Sequence, residues 1–179
     1  MRIAVVGSSG SGKTTLGKQL AHALNIPFVE LDAINWQANW RDLITHDKEE
    51  FIRRVDAATT GEGWVTDGNY KTTRAIVWSR ATHLVWLDYE RHIIMRRVIA
   101  RSIARAWDQR ELWAGNRERW TTWLDREHPI RWAWSTCLSL RAEYETSLRD
   151  KAYAHLTVLR LRRPSEAANV AERLGAAIQ

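Results

Sequence analysis

A short run near the start of the chain has residue types and a spacing that hold phosphate groups: Gly7-Ser8-Ser9-Gly10-Ser11-Gly12-Lys13-Thr14, or G-x-x-x-x-G-K-[ST]. Its glycines allow positive φ angles and let several main-chain N–H groups point at one anion. The apolar run MRIAVV precedes it and the helical pattern TLGKQLAHAL follows it, so a helix N-terminus would add partial positive charge. The pattern predicts an ATP site, with Lys13 at the β- and γ-phosphates, the Thr14 hydroxyl on Mg²⁺ and Thr15 near the α-phosphate.

Three arginines further along the chain share a helical spacing. Arg97, Arg101 and Arg105 recur every four residues in RHIIMRRVIARSIARAW, which places three guanidinium groups on one helix face. Like charges at this spacing repel one another, and a bound polyphosphate would relieve the repulsion. Arginine forks could also neutralise charge that develops on a transferred phosphoryl group. A solvated basic face without a ligand is the alternative interpretation.

The elements that position these residues alternate along the chain. Strand patterns in MRIAVV, IPFVELD, WVTDG, ATHLVWLD and HLTVLRL alternate with helical patterns at about 46–58, 90–107, 116–125, 130–150 and 165–177. This order predicts an α/β fold, a three-layer sandwich with a five-stranded parallel sheet covered on both faces. Ligands of such sheets bind beyond the carboxyl ends of the strands, where Asp32, Asp67 and Asp88 would emerge.

Composition limits the class of protein and its partners. A chain of 179 residues with 45% hydrophobic residues predicts one domain over residues 1–179, with a helical insertion at about 102–130. The net charge of +6 and the pI of about 9.9 favour anionic partners. A single cysteine, Cys137, indicates a reducing compartment such as the cytoplasm. The longest apolar runs have the length of strands, so no membrane span is expected. The protein is expected to be a monomer or a homodimer.

Several motifs together resemble a known group of proteins. GSSGSGKTT, LDAINWQANW, WVTDGNY and HLVWLD, followed by an arginine-rich helix, are similar to the small P-loop kinases of the adenylate-kinase-like group. Within that group, W-x-x-DGNY and the aromatic segment HPIRWAW resemble the DNA topology modulation proteins, also described as adenylate-kinase-like ATPases. The resemblance covers nearly the whole chain. It implies a P-loop NTPase fold with a helical lid.

The resemblance assigns the metal side of the site. In this group the third strand ends in an Asp-Gly pair beside the phosphate loop, which implies that Asp67 lies next to Lys13 and Thr14 and binds Mg²⁺ or a water of its shell. Gly68 would let the backbone approach a substrate. A turn or helix-cap role is the alternative for Asp67. Asp88 competes for the metal role, but the family pattern favours a structural role for it.

The acceptor side follows from the second strand. Related shikimate and nucleotide kinases bind their acceptors at its end, so the resemblance implies that Asp32 binds an acceptor hydroxyl or acts as its base; a turn residue is the alternative. Trp36 and Trp40, four residues apart, would share one face of a helical turn. They would form a wall for a base-sized ligand or anchor the core. Arg41 would meet a phosphate of the acceptor.

The residues after Asp67 differ from those of nucleoside monophosphate kinases. Those kinases carry D-G-F-P-R, whereas this chain has Asp67-Gly68-Asn69-Tyr70-Lys71, so Lys71 offers a point charge in place of a bidentate arginine. Gly68, Asn69 and Lys71 are predicted to contact the acceptor, and Arg74 is close enough in sequence to compensate for the missing arginine. The difference weakens the case for a nucleoside monophosphate acceptor.

Further arginines are assigned by the resemblance. Arg97 and Arg101 match an arginine pair that faces the ATP phosphates and base. Arg141 matches an arginine on the helix after the lid and is predicted to contact the acceptor. Residues near Arg163 would hold adenine through their backbone. The lid would close over the site and exclude water, and its candidate phosphate contacts are Arg110, Arg117, Arg119 and Arg131.

The main functional hypothesis is a small phosphotransferase that moves the γ-phosphate of ATP, with Mg²⁺, to a small acceptor such as a nucleotide. One alternative is an ATPase or a nucleotide-switched DNA-binding protein. The chain shows no recognisable nucleic-acid module, so nucleic acid is not the favoured partner. The other alternative is a kinase for a small hydroxylated metabolite, with Asp32 as the base.

Overall fold

Five parallel strands form the central sheet of the protein. The computed structural model describes residues 1–109, 111–118 and 128–175. The strands lie in the spatial order β2-β3-β1-β4-β5, and the predicted α/β class with a five-stranded parallel sheet is confirmed. Their bounds are β1 (Arg2–Gly7), β2 (Phe28–Glu30), β3 (Trp64–Asp67), β4 (His83–Leu87) and β5 (Thr157–Leu161).

Helices cover both faces of this sheet. In the described part of the chain they are α1 (Lys13–Leu24), α2 (Leu31–Asn35), α3 (Leu43–His46), α4 (Lys48–Ala58), α5 (Lys71–Arg80), α6 (Arg91–Asp108), α7 (Pro129–Ser147) and α8 (Val170–Gly175). Short 3-10 turns lie at Ala38–Trp40, Trp113–Gly115, Lys151–Tyr153 and Pro164–Ala167.

The side chains of β1 alternate between two hydrophobic cores. Ile3 and Val5 pack with residues of α1, α6 and α8, whereas Ala4 and Val6 pack with residues of α4 and α5. Helix α7 contributes to both cores. Because β1 is buried on both faces, its sequence is continuously apolar and does not alternate with polar residues.

Strand register brings the predicted site residues to one edge of the sheet. Val5 of β1 lies opposite Asp67 of β3, and Gly7 lies opposite Leu87 of β4. The loop that follows β1 is therefore flanked by the ends of both neighbouring strands. This arrangement places Asp67 on one side of the loop and Asp88 on the other.

Some elements differ from the sequence prediction. Strand β2 ends at Glu30, so Asp32 lies in the first turn of α2 and not at the end of a strand. Helix α5 was not predicted, because only three of its ten residues are buried and its apolar pattern is weak. The helix predicted at 116–125 begins with Asn116, Arg117 and Glu118, none of which is helical; the rest of it lies outside the described residues.

Trp36 and Trp40 do not share a helical face, and that prediction is wrong. Helix α2 ends at Asn35, and Trp36 then forms an isolated antiparallel bridge with Asp42. Asn39 and Trp40 have positive φ angles of 60° and 56°, which turn the chain back on itself. The two indole rings nevertheless meet, edge to face, with 5.5 Å between their centroids.

The region of the predicted lid is described in part. Helix α6 continues to Asp108, so the first residues of the proposed insertion at 102–130 belong to that helix. Arg131 is exposed on α7. Arg110, Arg119 and the segment 120–127 lie outside the described residues, and the lid remains a prediction. Within the ranges that the structure describes, none of the helices combines the length and apolarity needed to cross a bilayer.

Candidate active site

The loop between β1 and α1 forms an anion cradle. Gly7, Gly10 and Gly12 have φ angles of 147°, 82° and 99°, a region that favours glycine. A Cβ atom on Gly10 would lie 2.8 Å from the Cβ of Val98 on α6. The absence of a side chain at Gly10 therefore lets the loop and this helix approach each other closely.

Lys13 is held at the start of α1 by the loop itself. Its Nζ donates to the main-chain carbonyl of Ser8 at 3.0 Å. Burial lowers the pKa of Lys13 from its ordinary value, while the nearby carboxylates of Asp67 and Asp32 act to raise it. The ammonium group is therefore partly stripped of water and lies within electrostatic reach of both acidic residues, which suits it to bind a strongly negative ligand.

Unpaired polar atoms around the loop fit a bound polyphosphate and metal ion. Ser8 Oγ, Ser11 Oγ and Asp67 Oδ1 are buried and have no hydrogen-bond partner among the residues that the structure describes. Buried polar atoms are seldom left unpaired in folded proteins. The Ser11 hydroxyl belongs to a residue that lines the nucleotide cavity and can donate to a phosphate oxygen, and the free carboxylate oxygen of Asp67 can accept from a metal-bound water. The residues present therefore fit an ATP–Mg²⁺ group.

Thr14 and Asp67 form the contact expected of a metal side. Thr14 Oγ1 donates to Asp67 Oδ2 at 2.5 Å. Burial raises the pKa of Asp67 to about 6, although the Thr14 hydroxyl and the charge of Lys13 oppose the shift. No group of three or more Asp, Glu, His or Cys side chains able to hold a metal was found among the described residues. A Mg²⁺ ion here would keep several waters, as it usually does beside nucleotides.

Asn69 forms hydrogen bonds with Gly7, the first residue of the phosphate loop. Its Nδ2 donates to the carbonyl of Gly7 at 2.5 Å, and its Oδ1 accepts from the N–H of Gly7 at 3.3 Å and from the hydroxyl of Tyr144 at 2.6 Å. Asn69 was predicted to contact the acceptor, but its amide is occupied with the loop. Gly68 packs against Leu31, where a Cβ would lie 2.9 Å from the Cβ of that leucine.

Two arginines of α6 close the other side of the loop. Arg97 Nη1 donates to the carbonyl of Ser11 at 3.0 Å, and Arg101 Nη2 donates to Ser9 Oγ at 3.0 Å. Burial lowers the pKa of Arg101 to about 10, so it stays charged at neutral pH. The structure thus brings both predicted phosphate contacts to the cradle.

Asp32 is held by a phenol that the sequence prediction did not use. Tyr70 Oη donates to Asp32 Oδ1 at 2.6 Å. Burial, followed by the charge of Asp32, raises the pKa of Tyr70, so the phenol stays protonated and keeps donating. The Tyr70 ring packs edge to face on Phe51, with 5.0 Å between centroids. One oxygen of the Asp32 carboxylate is therefore fixed while the other remains available for a substrate.

One cavity of about 850 Å³ is lined by Lys13, Thr14, Asp32, Arg97 and Arg101. It runs across the phosphate loop from the β5 side of the sheet to the β2 side. We call its two ends the base end, lined by Tyr89, Pro164 and Ala167, and the acceptor end, lined by Lys18, Glu30, Asp32, Arg105, Glu111 and Trp113.

Two basic residues predicted to bind the acceptor are paired with a glutamate. Arg74 Nη1 and Lys71 Nζ lie 2.7 Å and 3.3 Å from the carboxylate oxygens of Glu143 on α7. The guanidinium of Arg74 also stacks over the rings of Trp78 and Tyr144, at 5.1 Å and 5.2 Å from their centroids. Neither basic residue lines the cavity, and both join α5 to α7.

Arg141 is likewise paired away from the cavity. Its Nε donates at 2.6 Å to the buried carboxylate of Asp88, which also accepts from Arg160 Nε at 2.8 Å. Arg160 in turn donates to Glu145 at 2.7 Å. Asp88 therefore ties α7 to β5, as expected of a structural residue, and it does not meet Thr14.

The remaining predicted contacts lie at the margins of the site. Trp36 and Trp40 are half-buried but do not line the cavity, and Arg41 is exposed. Arg163 precedes the turn at Pro164–Ala167, where its main-chain N–H donates to Glu166. The adjacent Pro164 and Ala167 line the base end, and the binding of a base by backbone groups near Arg163 stays a prediction.

Three residues of interest were missed in the sequence. Tyr70 was visible as the last residue of DGNY, and its position next to the metal-side motif was the available signal. Trp113 lines the acceptor end, but nothing in its flanking sequence marked it. Asn116 is buried and forms hydrogen bonds with the loop around Ala38–Trp40. The partners are more than seventy residues apart in the chain, so no local sequence pattern predicts this contact.

The sequence is similar to shikimate kinases over much of its length. A family model described as shikimate kinase matches residues 9–127, about two thirds of the chain. A shikimate kinase of Staphylococcus epidermidis is 31% identical over 111 residues, which cover 54% of this chain and 63% of that protein. One of Symbiobacterium thermophilum is 34% identical over 102 residues, covering 50% and 59%. The chain therefore matches less than two thirds of the length of these curated relatives.

Solved structures show the same fold over nearly the full length. The shikimate kinase of Bacteroides thetaiotaomicron superposes with a TM-score of 0.60 at 19% identity, covering 99% of this chain and 98% of that one. The enzyme of Acinetobacter baumannii, solved in complex with shikimate, gives a TM-score of 0.58 at 19% identity, with 99% and 92% covered.

Proposed function

Since the chain belongs to the shikimate kinase family, we propose that it transfers the γ-phosphate of ATP to a hydroxyl group of a small metabolite, with Mg²⁺ as the metal. The observation that carries this proposal is that Lys13 and Asp32 line one cavity and interact electrostatically. Phosphoryl transfer requires such a juxtaposition of a phosphate-binding cation and an acceptor-binding group.

The family assignment corrects part of the sequence prediction. The predicted membership in the small P-loop kinase superfamily is supported by the match to the shikimate kinase family. The predicted close relationship to the DNA topology modulation proteins is not supported. A hydroxylated metabolite, first given as an alternative, now fits better than a nucleotide acceptor. The basic residues predicted for a nucleotide acceptor, Lys71, Arg74 and Arg141, are paired with carboxylates away from the cavity, which agrees with this change.

The phosphate side of the reaction rests on the loop and on α6. Main-chain N–H groups of the loop and the Lys13 ammonium would bind the β- and γ-phosphates, and the Ser11 hydroxyl would donate to one of their oxygens. Thr14 and Asp67 would hold the metal and its water; Mg²⁺, when bound, neutralises charge on the β- and γ-phosphates. Arg97 and Arg101 would stabilise the charge that develops on the phosphoryl group.

The acceptor side rests on Asp32. The Asp32 oxygen that does not bind Tyr70 would accept a hydrogen bond from the acceptor hydroxyl. It would take the proton of that hydroxyl while the hydroxyl oxygen of the acceptor attacks the γ-phosphorus. The bond between the γ-phosphorus and the bridging oxygen of ADP breaks in the same displacement. Tyr70 is a positioning residue, since it touches the base and not the substrate.

The test is ADP release from ATP and Mg²⁺ with a panel of hydroxylated acceptors, beginning with shikimate, the acceptor named for the relatives. We expect at least one acceptor to raise ADP release well above the rate with water alone. Lys13→Ala should abolish the increase, whereas Lys48→Ala, an exposed lysine on α4, should leave it unchanged. Failure of every acceptor to raise ADP release with folded, ATP-binding protein would reject the proposal.

A further inference from the structure

The third arginine of the helical series lies at the acceptor end of the cavity. Arg105 follows Arg101 by one turn of α6, about 6 Å further along the helix axis. Arg97 and Arg101 donate to the phosphate loop, whereas Arg105 lines the cavity together with Trp113. The proposed function uses the first two arginines for the phosphates of ATP and gives no part to Arg105.

A buried carboxylate holds the guanidinium of Arg105. Its Nη1 lies 3.5 Å from Glu118 Oε2, and the side chain of Glu118 is only 6% exposed. The guanidinium also lies over the ring of Trp113, with its Cζ 5.9 Å from the ring centroid. A guanidinium has five N–H donors, and the hydrogen bonds that the described residues form with Arg105 use one of them. The other donors are available to a ligand in the cavity.

Glu118 is in turn oriented by His128, the residue that caps α7. His128 Nε2 lies 3.1 Å from Glu118 Oε1, and the imidazole side chain is 2% exposed. Since His128 Nδ1 accepts from the main-chain N–H of Ile130 at 3.4 Å, the proton of the neutral ring is assigned to Nε2, which donates to the carboxylate. Both oxygens of Glu118 therefore have donors, and the carboxylate is fixed in one orientation.

Stability alone is a poor explanation for this pair. Burying a carboxylate has a desolvation cost that an ion pair often only offsets, and apolar residues of similar size stabilise a fold equally well. Arginine has many rotamers, however, and a fixed partner restricts them before a ligand arrives. Such restriction lowers the entropy cost of binding. The contact between Glu118 and Arg105 at the wall of a cavity therefore favours a role in binding.

We propose that Glu118 is a positioning residue of the kinase site that acts through Arg105. It holds the guanidinium at the acceptor end, where the remaining N–H groups bind an oxyanion on the acceptor. This oxyanion is the phosphoryl group as the acceptor receives it, or an acid group of the acceptor itself. The inference rests on the proposed function and adds two residues to its acceptor side: Arg105 touches the substrate, and Glu118 orients Arg105.

The first experiment compares single variants by steady-state kinetics. Arg105→Ala removes a charged donor and should lower kcat/KM for the acceptor at least about tenfold, and Glu118→Gln should lower it about three- to tenfold. The Kd for ATP should stay unchanged, because the loop and Arg101 are intact. Arg96→Ala, an exposed arginine of α6, and Glu49→Gln, an exposed glutamate of α4, are the matched controls. An unchanged kcat/KM in folded Arg105→Ala would overturn the proposal.

A double-mutant cycle separates positioning from a purely structural link between α6 and α7. If Glu118 acts through Arg105, Glu118→Gln should cause no further loss of kcat/KM in protein that already carries Arg105→Ala. The double variant removes both charges of the buried pair, so it should fold even where the unpaired carboxylate of Arg105→Ala is destabilising. Arg105→Lys, which keeps a cation but loses the planar fork, is a second single variant. Equal losses from Glu118→Gln in both backgrounds would refute positioning.

Shikimate and its methyl ester distinguish the two sources of the oxyanion. If Arg105 binds the transferred phosphoryl group, Arg105→Ala should lower kcat with both acceptors. If it binds an acid group of the acceptor, the variant should raise the KM for shikimate and leave the KM for the ester nearly unchanged. Either result supports the proposal, whereas the same constants in wild type and variant for both acceptors contradict it.

Binding without turnover keeps this inference distinct from the proposed function. Inorganic phosphate and shikimate are titrated by calorimetry into protein saturated with ADP and Mg²⁺. If no acceptor is phosphorylated, the kinase assignment fails, but a Kd for either probe that is at least about fivefold higher in Arg105→Ala would still support an oxyanion site at Arg105. Without turnover, equal Kd values in wild type and variant, or no binding of either probe to wild type, would reject that site.

Discussion

Asn116 and Trp40 are joined by a hydrogen bond of 2.8 Å, from the main-chain N–H of Trp40 to Asn116 Oδ1. The Nδ2 of the same side chain donates to the carbonyl of Gln37 at 2.8 Å. Asn116 is buried, and it lies in the segment after Trp113, which lines the acceptor end. One amide therefore fixes the loop after α2 to a segment within the predicted lid.

Asn116→Ala should loosen this junction. We expect the KM for the acceptor to rise about ten- to thirtyfold, because the hydrogen bonds to Trp40 and Gln37, worth roughly 1 kcal/mol each, are lost where the acceptor binds. The affinity for ATP should hold, since the phosphate loop is untouched. Steady-state kinetics with each substrate varied in turn measures the split.

Asn116→Asp is the matched variant for this prediction. It keeps an acceptor for the Trp40 N–H and loses the donor to the Gln37 carbonyl, so its effect should be of the same kind. A rise in the KM for ATP equal to that for the acceptor, in both variants, would show that Asn116 supports the fold as a whole and not the acceptor side.

Asp67→Asn should weaken the use of the metal. The amide cannot replace the carboxylate that accepts from Thr14 and faces a metal water, so we expect the Mg²⁺ concentration for half-maximal activity to rise about 10- to 100-fold, the usual effect of losing a partner next to a metal. A magnesium titration of ADP release at saturating ATP measures it. Unchanged metal dependence would remove Asp67 from the metal side.

The same residue gives the unliganded protein a pH-dependent stability. Burial raises the pKa of Asp67 from 3.8 to about 6, so folding favours its protonated form. This contribution is complete below pH 4 and is lost as the pH rises to about 6, which costs at most about 3 kcal/mol. Asp67→Asn does not ionise. We therefore expect the free energy of unfolding of wild type, relative to this variant, to fall between pH 4 and 6.5 in metal-free chemical denaturation.

Tyr70→Phe should slow the chemical step. The variant keeps the ring against Phe51 and removes the hydrogen bond to Asp32, which would leave the base free to turn away from the acceptor. Hydrogen bonds to charged groups contribute about 1.5–3 kcal/mol, so kcat should fall roughly tenfold or more while the KM for ATP stays constant. Tyr153→Phe, on a surface turn, is the control. Equal losses in stability and in both kinetic constants would instead indicate a purely structural tyrosine.

Gly10→Ala should disturb nucleotide binding more than folding. The new methyl group would lie 2.8 Å from the Cβ of Val98, which forces the loop away from α6. With backbone strain of about 1–3 kcal/mol added, the Kd for ATP should rise about tenfold or more. Gly115→Ala is the matched control, because Gly115 also has a positive φ of 76° but no atom of the described residues lies within 4 Å of its Cβ position. Similar Kd values for both variants would contradict this steric account.

The sequence was sufficient where function depends on neighbours in the chain. The spacing of Lys13 and Thr14 predicts the phosphate loop, because consecutive residues create the cradle. The resemblance to the adenylate-kinase-like group implied that Asp67 lies beside them, and parallel strands that end on one edge of the sheet make that placement geometrically simple. The periodicity of Arg97 and Arg101 indicated a shared helix face. The loop and the helix face depend on local geometry that a strand or helix enforces.

The sequence was insufficient to predict ion pairs between side chains that are far apart in the chain. Arg74 and Arg141 resembled acceptor-binding residues, yet they pair with Glu143 and Asp88, which lie more than fifty positions away in the chain. Such pairings depend on how α5 and α7 pack, and no periodicity reports it. The spacing of Trp36 and Trp40 gave a wrong prediction because it assumed a local helix. Asn39 and Trp40 have positive φ angles, so the chain is not helical there.

The hydrogen-bond chain from Tyr144 through Asn69 to Gly7 has a consequence for how this enzyme could be tuned. It links the last turn of α7 to Gly7, the first residue of the nucleotide cradle. Conservative substitutions of Tyr144 should therefore change the affinity for the triphosphate, although Tyr144 contacts no ligand. Directed evolution could adjust cofactor affinity through this position.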